Sequence, residues 1–586
     1  MIKKISSPIF LSFVFILLFV NAKSINSPKW SHFDPEIFAK AKKENKLVLL
    51  HLRANWCHWC HVMEEKTYTD QKVIDYLAKN YIACMEDHDE RQDLTSLYSD
   101  YGWPATIIFD GDGNELLKEP GYINAEEFLA TLAKLKKDPK PLAGTAVNAD
   151  PKLTTETSKQ KSLNDLKRSF NRSLDIASGG FVFGQKYIEF DTFEYAFTHQ
   201  KSDSLLKMWL THSVVNSTGI YDKVWGGVFQ YSTDNDWDHV HYEKLLFIQA
   251  RYIKMYCWYY KIFNDAEALK KAEGIVDYVN RFLTAPGGGY YNAQDADLIK
   301  GEKAKEYFEL GDKERMKKGI PAIDSNVYTS DNAAYAEALT ILWATSGKQN
   351  YLDKALNCIQ FLNTKRKAGN IFMHGEKYAA TTSLKDNLAM LKTLMLAHRA
   401  TQRQVYRADA EQLIKEIAAN FNSGRGYFYT YIGKSAIKST YNVSENIEAC
   451  RLLNYCSYFF HEPDYKKTAN EILNFLTNDK LVSTLSTEPG ILSAAEELTN
   501  EPIIAALMLK KNDDLTPGYL KETIAFPRFY FNSVIYDKGN VIEDKKDLFD
   551  SFDDNFMILC TSSYCSSPLF NPKEFSEFMY KRVLEK

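Results

Sequence analysis

The sequence lacks two features that would each point to a large class of proteins. Its 72 basic and 76 acidic residues are mixed along 586 positions, and no long stripe of lysine and arginine is present. This absence argues against nucleic acid as a partner. Cysteine is also scarce, with nine residues in the chain, so the protein is not a small scaffold held together by disulfides. The composition is globular, 45% hydrophobic, and sufficient for at least two large cores.

The first 22 residues have the pattern of a secretory signal peptide. Lys3 and Lys4 give the segment a positive start, and residues 9–20 are apolar except for Ser12. The residues at 20–22 then resemble a cleavage site. We expect cleavage there and an exported protein, either secreted or periplasmic. The apolar run is short for a spanning helix, so we expect membrane contact only if the segment stays uncleaved.

Secondary-structure patterns divide the remaining chain into three parts. Residues 30–138 follow a β-α-β-α-β-β-α order, which predicts an α/β domain. Residues 139–162 are rich in Lys, Pro, Thr, Ser and Gly and predict a linker. Residues 163–586 form the second domain, where helical periodicity continues to a last predicted ring helix at 491–510 and short strands follow. Glycine-rich aromatic turns recur between helix pairs, so we predict a closed all-α ring of helical hairpins.

The sequence C-H-W-C-H at 57–61 is the clearest chemical signal in the chain. An apolar strand is predicted at 47–52, and helical periodicity begins at Val62. Free N–H groups and the dipole at a helix start stabilise a thiolate. Cys57 is therefore the predicted nucleophile, and Cys60, one turn later, is the predicted resolving thiol.

Two cofactor sites fit the same five letters. C-x-x-C-H is also the attachment site of c-type haem, with His61 as an axial ligand, and two cysteines with two histidines are a zinc-binding set. No second ligand pair at a matching spacing supports zinc. A thioredoxin-like fold needs a proline, usually cis, opposite the dithiol, and Trp103-Pro104 stands there, before a strand at 105–109. This proline and the strand before Cys57 argue against haem, so we expect a thioredoxin-like fold with no cofactor and no metal.

Three questions about the cysteines stay open at this level. A protonated His58 would stabilise the Cys57 thiolate and make the disulfide more oxidising, but this side chain could equally face solvent. The dithiol could also be unimportant in a domain kept for its structure. Cys560 and Cys565 flank a short turn, which favours a structural disulfide over a second redox pair.

Several motifs in this order resemble the spermatogenesis-associated thioredoxin-domain family. The resemblance implies a thioredoxin-like domain followed by a six-hairpin (α/α)6 toroid, similar to that of sugar 2-epimerases and several glycosidases. Gln92 replaces the usual proline of the family, the usual Gly-Thr-Tyr-rich insert after Pro104 is missing, and 238–240 read D-H-V, so we expect a divergent, exported member. The motifs are N-W-C-H-W-C-H-V-M-E at 55–64, D-H-D-E-R-Q-D at 87–93, G-W-P at 102–104, G-G-V-F-Q-Y-S-T-D-N-D-W at 226–237, H-Y-E-K-L-L at 241–246, Y-Y-N-A-Q-D-A-D at 290–297, S-D-N at 330–332 and C-x4-C-S-S-P at 560–568.

Acidic and histidine side chains stand at loop–helix junctions, where a ring of this type has a concave pocket. Paired carboxylates with a histidine can act as general acid and base on a sugar. The same residues could instead cap helices, as predicted for S-D-N at 330–332, and Glu243 with Lys244 could form a buried structural pair. The candidate ring residues are Asp234, Asp236, His241, Glu243, Asp295, Asp297 and Asp331.

The leading hypothesis is an exported thiol–disulfide oxidoreductase fused to a helical toroid of unknown ligand. It would act on protein thiols or disulfides through Cys57, Cys60 and His58, with Pro104 shaping the substrate groove. The alternative is a carbohydrate-active enzyme or sugar-binding protein in which the thioredoxin-like domain is structural, so that a carbohydrate in the toroid is the partner. A third hypothesis is a scaffold with neither activity.

Overall fold

The computed structural model describes residues 27–98, 102–142, 156–376, 380–485, 487–500, 502–510, 516–528, 531–561 and 564–583. The predicted signal peptide lies outside these ranges. Within them, no helix combines the length and the apolar character needed to cross a membrane.

The N-terminal domain is built on a four-stranded sheet in the order β2-β1-β3-β4. β2 runs parallel to β1, whereas β3 is antiparallel to both β1 and β4. The elements are α1 (Ile37–Glu44), β1 (Leu47–Arg53), α2 (His58–Lys66), α3 (Gln71–Asn80), β2 (Tyr81–Asp87), α4 (Gln92–Tyr98), β3 (Ala105–Phe109), β4 (Glu115–Pro120) and α5 (Ala125–Lys137).

The central strand β1 is buried on both faces because two separate cores pack against the sheet. Leu47 and Leu49 point into a core with α3 and α5, and Val48 and Leu50 point into the opposite core with α1 and α4. This alternation follows from the two-residue period of a strand. The arrangement confirms the predicted thioredoxin-like fold.

The second domain begins with a long helix and continues through helix pairs and short strands. Its elements are α6 (Glu156–Ser173), α7 (Phe190–His199), α8 (Ser204–Asn216), β5 (Tyr231–Thr233), β6 (His239–His241), β7 (Lys244–Leu245), α9 (Leu246–Phe263), α10 (Ala266–Phe282), β8 (Ala293–Gln294), α11 (Lys305–Phe308), α12 (Asp312–Lys318), β9 (Ile323–Asp324), α13 (Thr329–Ser346), α14 (Gln349–Lys365), β10 (Lys367–Ala368), β11 (Ile371–Phe372), β12 (Thr381–Ser383), α15 (Leu384–Thr401), α16 (Gln404–Asn420), β13 (Tyr431–Gly433), α17 (Val443–Phe459), α18 (Pro463–Leu476), α19 (Asp479–Val482) and α20 (Gly490–Thr499).

Six of these helices form a closed inner ring. α7, α9, α13, α15, α17 and α20 pack each against the next, and α20 returns to α7. The helices α8, α10, α14, α16 and α18 pack outside the preceding inner helix, and α6 lies outside α20 as the sixth outer helix. The contacts confirm the predicted (α/α)6 toroid. α6 begins inside the segment predicted as a linker, because it completes the last hairpin from the N-terminal side.

The C-terminal segment forms a small α/β unit rather than a continuation of the ring. The helix predicted at 491–510 is confirmed as far as Thr499, where α20 ends, and is wrong beyond it, because a strand begins at Ile503. Pro502, which has no N–H to donate, stands at this change. The elements are β14 (Ile503–Met508), α21 (Thr516–Ala525), β15 (Phe531–Tyr536), α22 (Glu543–Asp550), β16 (Phe556–Cys560) and α23 (Pro572–Phe578), with sheet order β15-β14-β16.

Candidate active site

The two cysteines of C-H-W-C-H stand at the N-terminal end of α2. Cys57 is the N-cap residue with extended backbone, and its Sγ accepts a hydrogen bond from the backbone N–H of Cys60 at 3.2 Å. The two residues are joined by a disulfide, with 5.3 Å between their Cα atoms. In the reduced form, the N–H groups of the first turn would stabilise a Cys57 thiolate. Cys57 is only 4% exposed, so access to its sulfur depends on the surrounding residues.

Pro104 stands directly before β3, and the Trp103–Pro104 peptide bond is cis. The Trp103 side chain packs against the apolar cluster that contains Cys57 and Cys60. Its ring also stacks on the ring of His88, with 4.0 Å between centroids. Trp103 therefore forms a wall beside the dithiol.

Loops of the toroid cover the dithiol from the other side. Leu245 and Ala293, at β7 and β8 of the toroid, belong to the same buried cluster as Cys57. Farther along the interface, the Ser96 hydroxyl donates a hydrogen bond to Glu445 at 2.8 Å. The cysteine pair therefore lies between the two domains rather than on an open surface.

Two histidines of α2 attach the dithiol segment to the toroid through one carboxylate. His58 Nδ1 lies 2.7 Å from Asp297 Oδ1, and His61 Nδ1 lies 3.2 Å from Asp297 Oδ2. The backbone N–H of Gly301 also donates to Asp297. Burial raises the pKa of Asp297, but these hydrogen bonds outweigh burial and hold its pKa below the usual range. His58 thus faces Asp297 and not open solvent.

A metal ion would need His61, Asp295 and Asp297, whose ligand atoms lie within 4.8 Å of one another. Both ring nitrogens of His61 already face oxygen acceptors, because Nε2 lies 3.0 Å from the carbonyl oxygen of Asn55. A metal ion would have to displace one of these contacts, so the residues as arranged form a hydrogen-bonded bridge. Burial raises the pKa of Asp295 to about 6.

Asp89, in the loop after β2, is a second link between the domains. Its Oδ2 accepts hydrogen bonds from the Trp56 indole at 2.6 Å and from the Asn292 amide at 2.8 Å. Its backbone carbonyl oxygen lies 2.6 Å from His374 Nε2. Burial raises the pKa of Asp89 despite these donors. The D-H-D-E-R-Q-D motif contained this residue, but sequence reasoning gave it no role.

Glu243 has no part in the structural pair suggested from the sequence. Lys244 instead binds Asp222, with 2.7 Å between Nζ and Oδ2. Glu243 is 4% exposed, and its Oε2 has no hydrogen-bond partner among the described residues. Burial, reinforced by Asp295 and Asp297, raises the pKa of Glu243 to about 8, although backbone hydrogen bonds oppose the shift. The group is therefore a neutral acid at pH 7.

A cavity of about 290 Å³ opens between the dithiol and the toroid. Cys57, Trp56 and Trp103 form its wall on the thioredoxin-like side. The toroid contributes aromatic, amide and titratable side chains. These include Tyr187, Tyr231, Phe247, Tyr252, Gln185, Gln230, His241, Glu243 and Arg251. The arrangement can hold a small molecule or an extended segment against the sulfur of Cys57.

The other predicted toroid residues do not meet at this cavity. A neighbouring cavity of about 460 Å³ brings four of the predicted residues together, because Asp234, His241, Glu243 and Asp297 line it beside His58 and Trp59. Asp236 is exposed and accepts a hydrogen bond from His239 at 2.7 Å. Asp331 is not the predicted N-cap but a buried residue inside the first turn of α13, because the helix begins at Thr329.

Arg251 is the charged residue among the lining residues of the dithiol cavity that the sequence did not identify. It lies in the first half of α9, among apolar residues, where helical periodicity gives no sign that it faces a cavity. Its guanidinium lies 5.1 Å from the centroid of the Phe247 ring. The one signal in the sequence was that Arg251 follows Phe247 by one helical turn, which places the two side chains on the same face of α9.

Comparison with known proteins identifies relatives that are similar to part of the chain. The family model Thioredox_DsbH, described as a protein of unknown function (DUF255), matches residues 18–134. Over 309 residues the chain is 28% identical to spermatogenesis-associated protein 20 of Rattus norvegicus. This alignment covers 46% of the chain and 39% of the rat protein, so it spans about two fifths of that relative's length.

Two further similarities concern one domain each. A cellobiose 2-epimerase from Bacillus thermoamylovorans B4167 aligns structurally with 54% of this chain and 86% of its own, with a TM-score of 0.42 and 13% identity. Over 103 residues, 17% of each chain, the protein is 34% identical to the thiol:disulfide interchange protein DsbD of Ralstonia nicotianae. By sequence alignment, the chain is similar to spermatogenesis-associated protein 20, and residues 18–134 match the Thioredox_DsbH family model.

Proposed function

We propose that this protein is a thiol–disulfide oxidoreductase whose dithiol works in the cleft between the thioredoxin-like domain and the toroid. The observation that carries the proposal is the position of Cys57, which is the N-cap of α2 and lies in the wall of the 290 Å³ cavity. A helix N-terminus lowers the pKa of a thiol, and the cavity gives a substrate a path to it. The similarity of this domain to a thiol:disulfide interchange protein supports the same chemistry.

In the reducing direction, the Cys57 thiolate attacks one sulfur of a substrate disulfide, RSSR. The substrate S–S bond breaks, a Cys57–S–S–R bond forms, and the first RS⁻ leaves and takes a proton from water. The Cys60 thiolate then attacks the Cys57 sulfur and releases the second RS⁻. The products are two RSH and the Cys57–Cys60 disulfide, so two electrons pass from the dithiol to the substrate. An external dithiol restores the reduced enzyme.

The other two predicted site residues have supporting roles in this proposal. His58 holds the first turn of α2 against the toroid through Asp297, and thereby keeps Cys57 in the cavity wall. Pro104 orders the Trp103 segment beside the disulfide, where a substrate sulfur must approach.

The test is the reaction of the reduced protein with bis(2-hydroxyethyl) disulfide. We expect the wild type to form the Cys57–Cys60 disulfide, Cys57→Ser to be inert, and Cys60→Ser to retain a mixed disulfide detectable by mass. A double variant, Cys560→Ser with Cys565→Ser, removes the second disulfide of the chain and is the matched control that keeps the activity. Equal reactivity of wild type and Cys57→Ser would refute the proposal.

The contacts do not favour the carbohydrate alternative. Asp295 and Asp297 each face a histidine of the thioredoxin-like domain, and two histidines contact the Asp297 carboxylate where it lines the 460 Å³ cavity. A saccharide acting as substrate would need such carboxyl groups free on both sides of a sugar ring. We therefore expect no rise in Tm with mono- and oligosaccharides. A saccharide that raises the Tm of wild type but not of Asp297→Asn would reverse this conclusion.

We also propose that the protein is exported. The positive start and apolar run at residues 1–22 support export, as does the Cys560–Cys565 disulfide, because disulfides persist in oxidising compartments. N-terminal sequencing of the protein from its native cells should begin at Lys23. A mature chain that retains residues 1–22 would contradict cleavage.

A further inference from the structure

The polar groups of the dithiol cavity differ in whether they carry charge near neutral pH. Burial lowers the pKa of His241 to about 4, so its imidazole is neutral. Glu243 is a neutral acid below pH 8, and Gln185 and Gln230 carry no charge. Among the described residues that line this cavity, Arg251 is therefore the one that carries a formal charge.

The Arg251 guanidinium is available to a ligand. Among the residues that the structure describes, it forms neither a hydrogen bond nor an ion pair, and it rests on the Phe247 ring at 5.1 Å. A guanidinium backed by an aromatic ring presents its N–H groups for a bidentate contact with a carboxylate. The Arg251 charge also acts on Glu189, where it opposes the rise that burial and Asp191 impose on the pKa of this carboxyl group, to about 7.

We propose that the substrates of the dithiol are low-molecular-weight disulfides or thiols that bear a carboxylate, which Arg251 binds while the sulfur lies against Cys57. This inference rests on the proposed function and narrows its substrate class. The aromatic walls exclude water from the ligand and strengthen the contact between its carboxylate and the arginine. The near-complete burial of Cys57 excludes folded proteins from the sulfur while the domains are closed.

The chemistry is the same exchange with a defined substrate. An anionic RSSR gives two RSH, and the Cys57–Cys60 dithiol becomes the disulfide. In a single turnover the reduced protein is itself the two-electron donor, so the assay needs no other reductant. The carboxylate of the substrate changes neither its charge nor its bonding during the step.

The experiment compares two disulfides of similar size on prereduced full-length protein. One is 3,3′-dithiodipropionate, a dianion, and the other is bis(2-hydroxyethyl) disulfide, which is neutral. Oxidation of the dithiol is followed by the fluorescence of Trp56 and Trp59 and checked by mass. For each reductant, we take the rate of oxidation by the dianion divided by the rate of oxidation by the neutral disulfide. At pH 6.5 we expect this ratio to be roughly ten times larger for the wild type than for dithiothreitol.

Variants separate recognition from chemistry. Arg251→Gln should lose the preference but still react with the neutral disulfide, and Arg251→Lys should keep part of the preference. Arg407→Gln is the matched control, because Arg407 lies 5.6 Å from the Phe459 ring, outside the lining of this cavity. Equal preference in wild type and Arg251→Gln would overturn this inference and leave the proposed function intact. If neither disulfide oxidised the wild type, the proposed function itself would fail.

Discussion

The contacts of Asp297 with His58 and His61 predict how often the toroid and the thioredoxin-like domain separate and expose the dithiol. Asp297→Asn removes the negative charge that two histidines of α2 contact at 2.7 and 3.2 Å, across the domain interface. A hydrogen bond to a buried charged group contributes about 1.5–3 kcal/mol, and the longer of the two contacts is the weaker. We therefore assign about 2 kcal/mol to the bridge, which corresponds to a roughly 30-fold larger population of open protein, since 1.4 kcal/mol is a factor of about ten.

The assay is pulse alkylation of reduced protein with a bulky polyethylene-glycol maleimide, with labelling at Cys57 quantified by peptide mass spectrometry. A large reagent reaches this sulfur only in the open state, so its rate should rise roughly 30-fold in Asp297→Asn. Asp236→Asn is the matched control, because Asp236 also faces a histidine at 2.7 Å but on the exposed rim, where ion pairs contribute little. The reasoning is refuted if Asp297→Asn is labelled at the wild-type rate, or if Asp236→Asn accelerates labelling equally.

Three further predictions concern charge and stability. Glu243→Gln should match the wild type in free energy of unfolding near pH 4 and exceed it at pH 9. The reason is that the raised pKa of Glu243 makes wild-type stability fall as pH rises from 4.5, the ordinary pKa, to about 8, and urea titrations at pH 4 and pH 9 measure the difference. Asp222→Asn should lower the free energy of unfolding by about 3 kcal/mol, because it leaves Lys244 and Arg315 buried without their anion. Thermal denaturation at pH 7 measures this loss. Replacing Cys560 and Cys565 by serine should cost roughly 2 kcal/mol, given the short loop that they close, and leave exchange at Cys57 unchanged.

Local sequence patterns were sufficient for the thioredoxin-like domain and for the hairpin character of the ring. The dithiol lies between a buried strand and a helix, and Pro104 directly precedes the next strand, so the fold follows from neighbours along the chain. Helical periodicity and recurring Gly-rich turns likewise identified most of the ring helices. The failure at 491–510 arose because apolar residues 503–508 fit a buried strand as well as a helix.

The composition of the site could not be predicted in the same way. His58 and Asp297 are 239 residues apart, and no local pattern connects a helix start in one domain with a loop in the other. Adjacent residues also misled, because Glu243 and Lys244 point to different surroundings: Lys244 reaches Asp222, and Glu243 reaches the cavity. Arg251 was missed for a related reason, since its role depends on the domain that covers it.

The position of the cavity suits a thioredoxin-like domain that is joined to a large ring. Trp56 and Cys57 are each 4% exposed, and the toroid residues Leu245 and Phe247 belong to or pack against the cluster that contains them. Because the thioredoxin-like domain and the toroid belong to one chain, their facing surfaces are at high effective concentration. A polar contact such as the one between His58 and Asp297 is then sufficient to keep them together. In the proposed reaction, the thioredoxin-like domain supplies the sulfur, and the toroid supplies the charge and the walls that select the substrate. The proposal therefore gives both domains a part in the reaction, because the dithiol cavity is lined by residues of both.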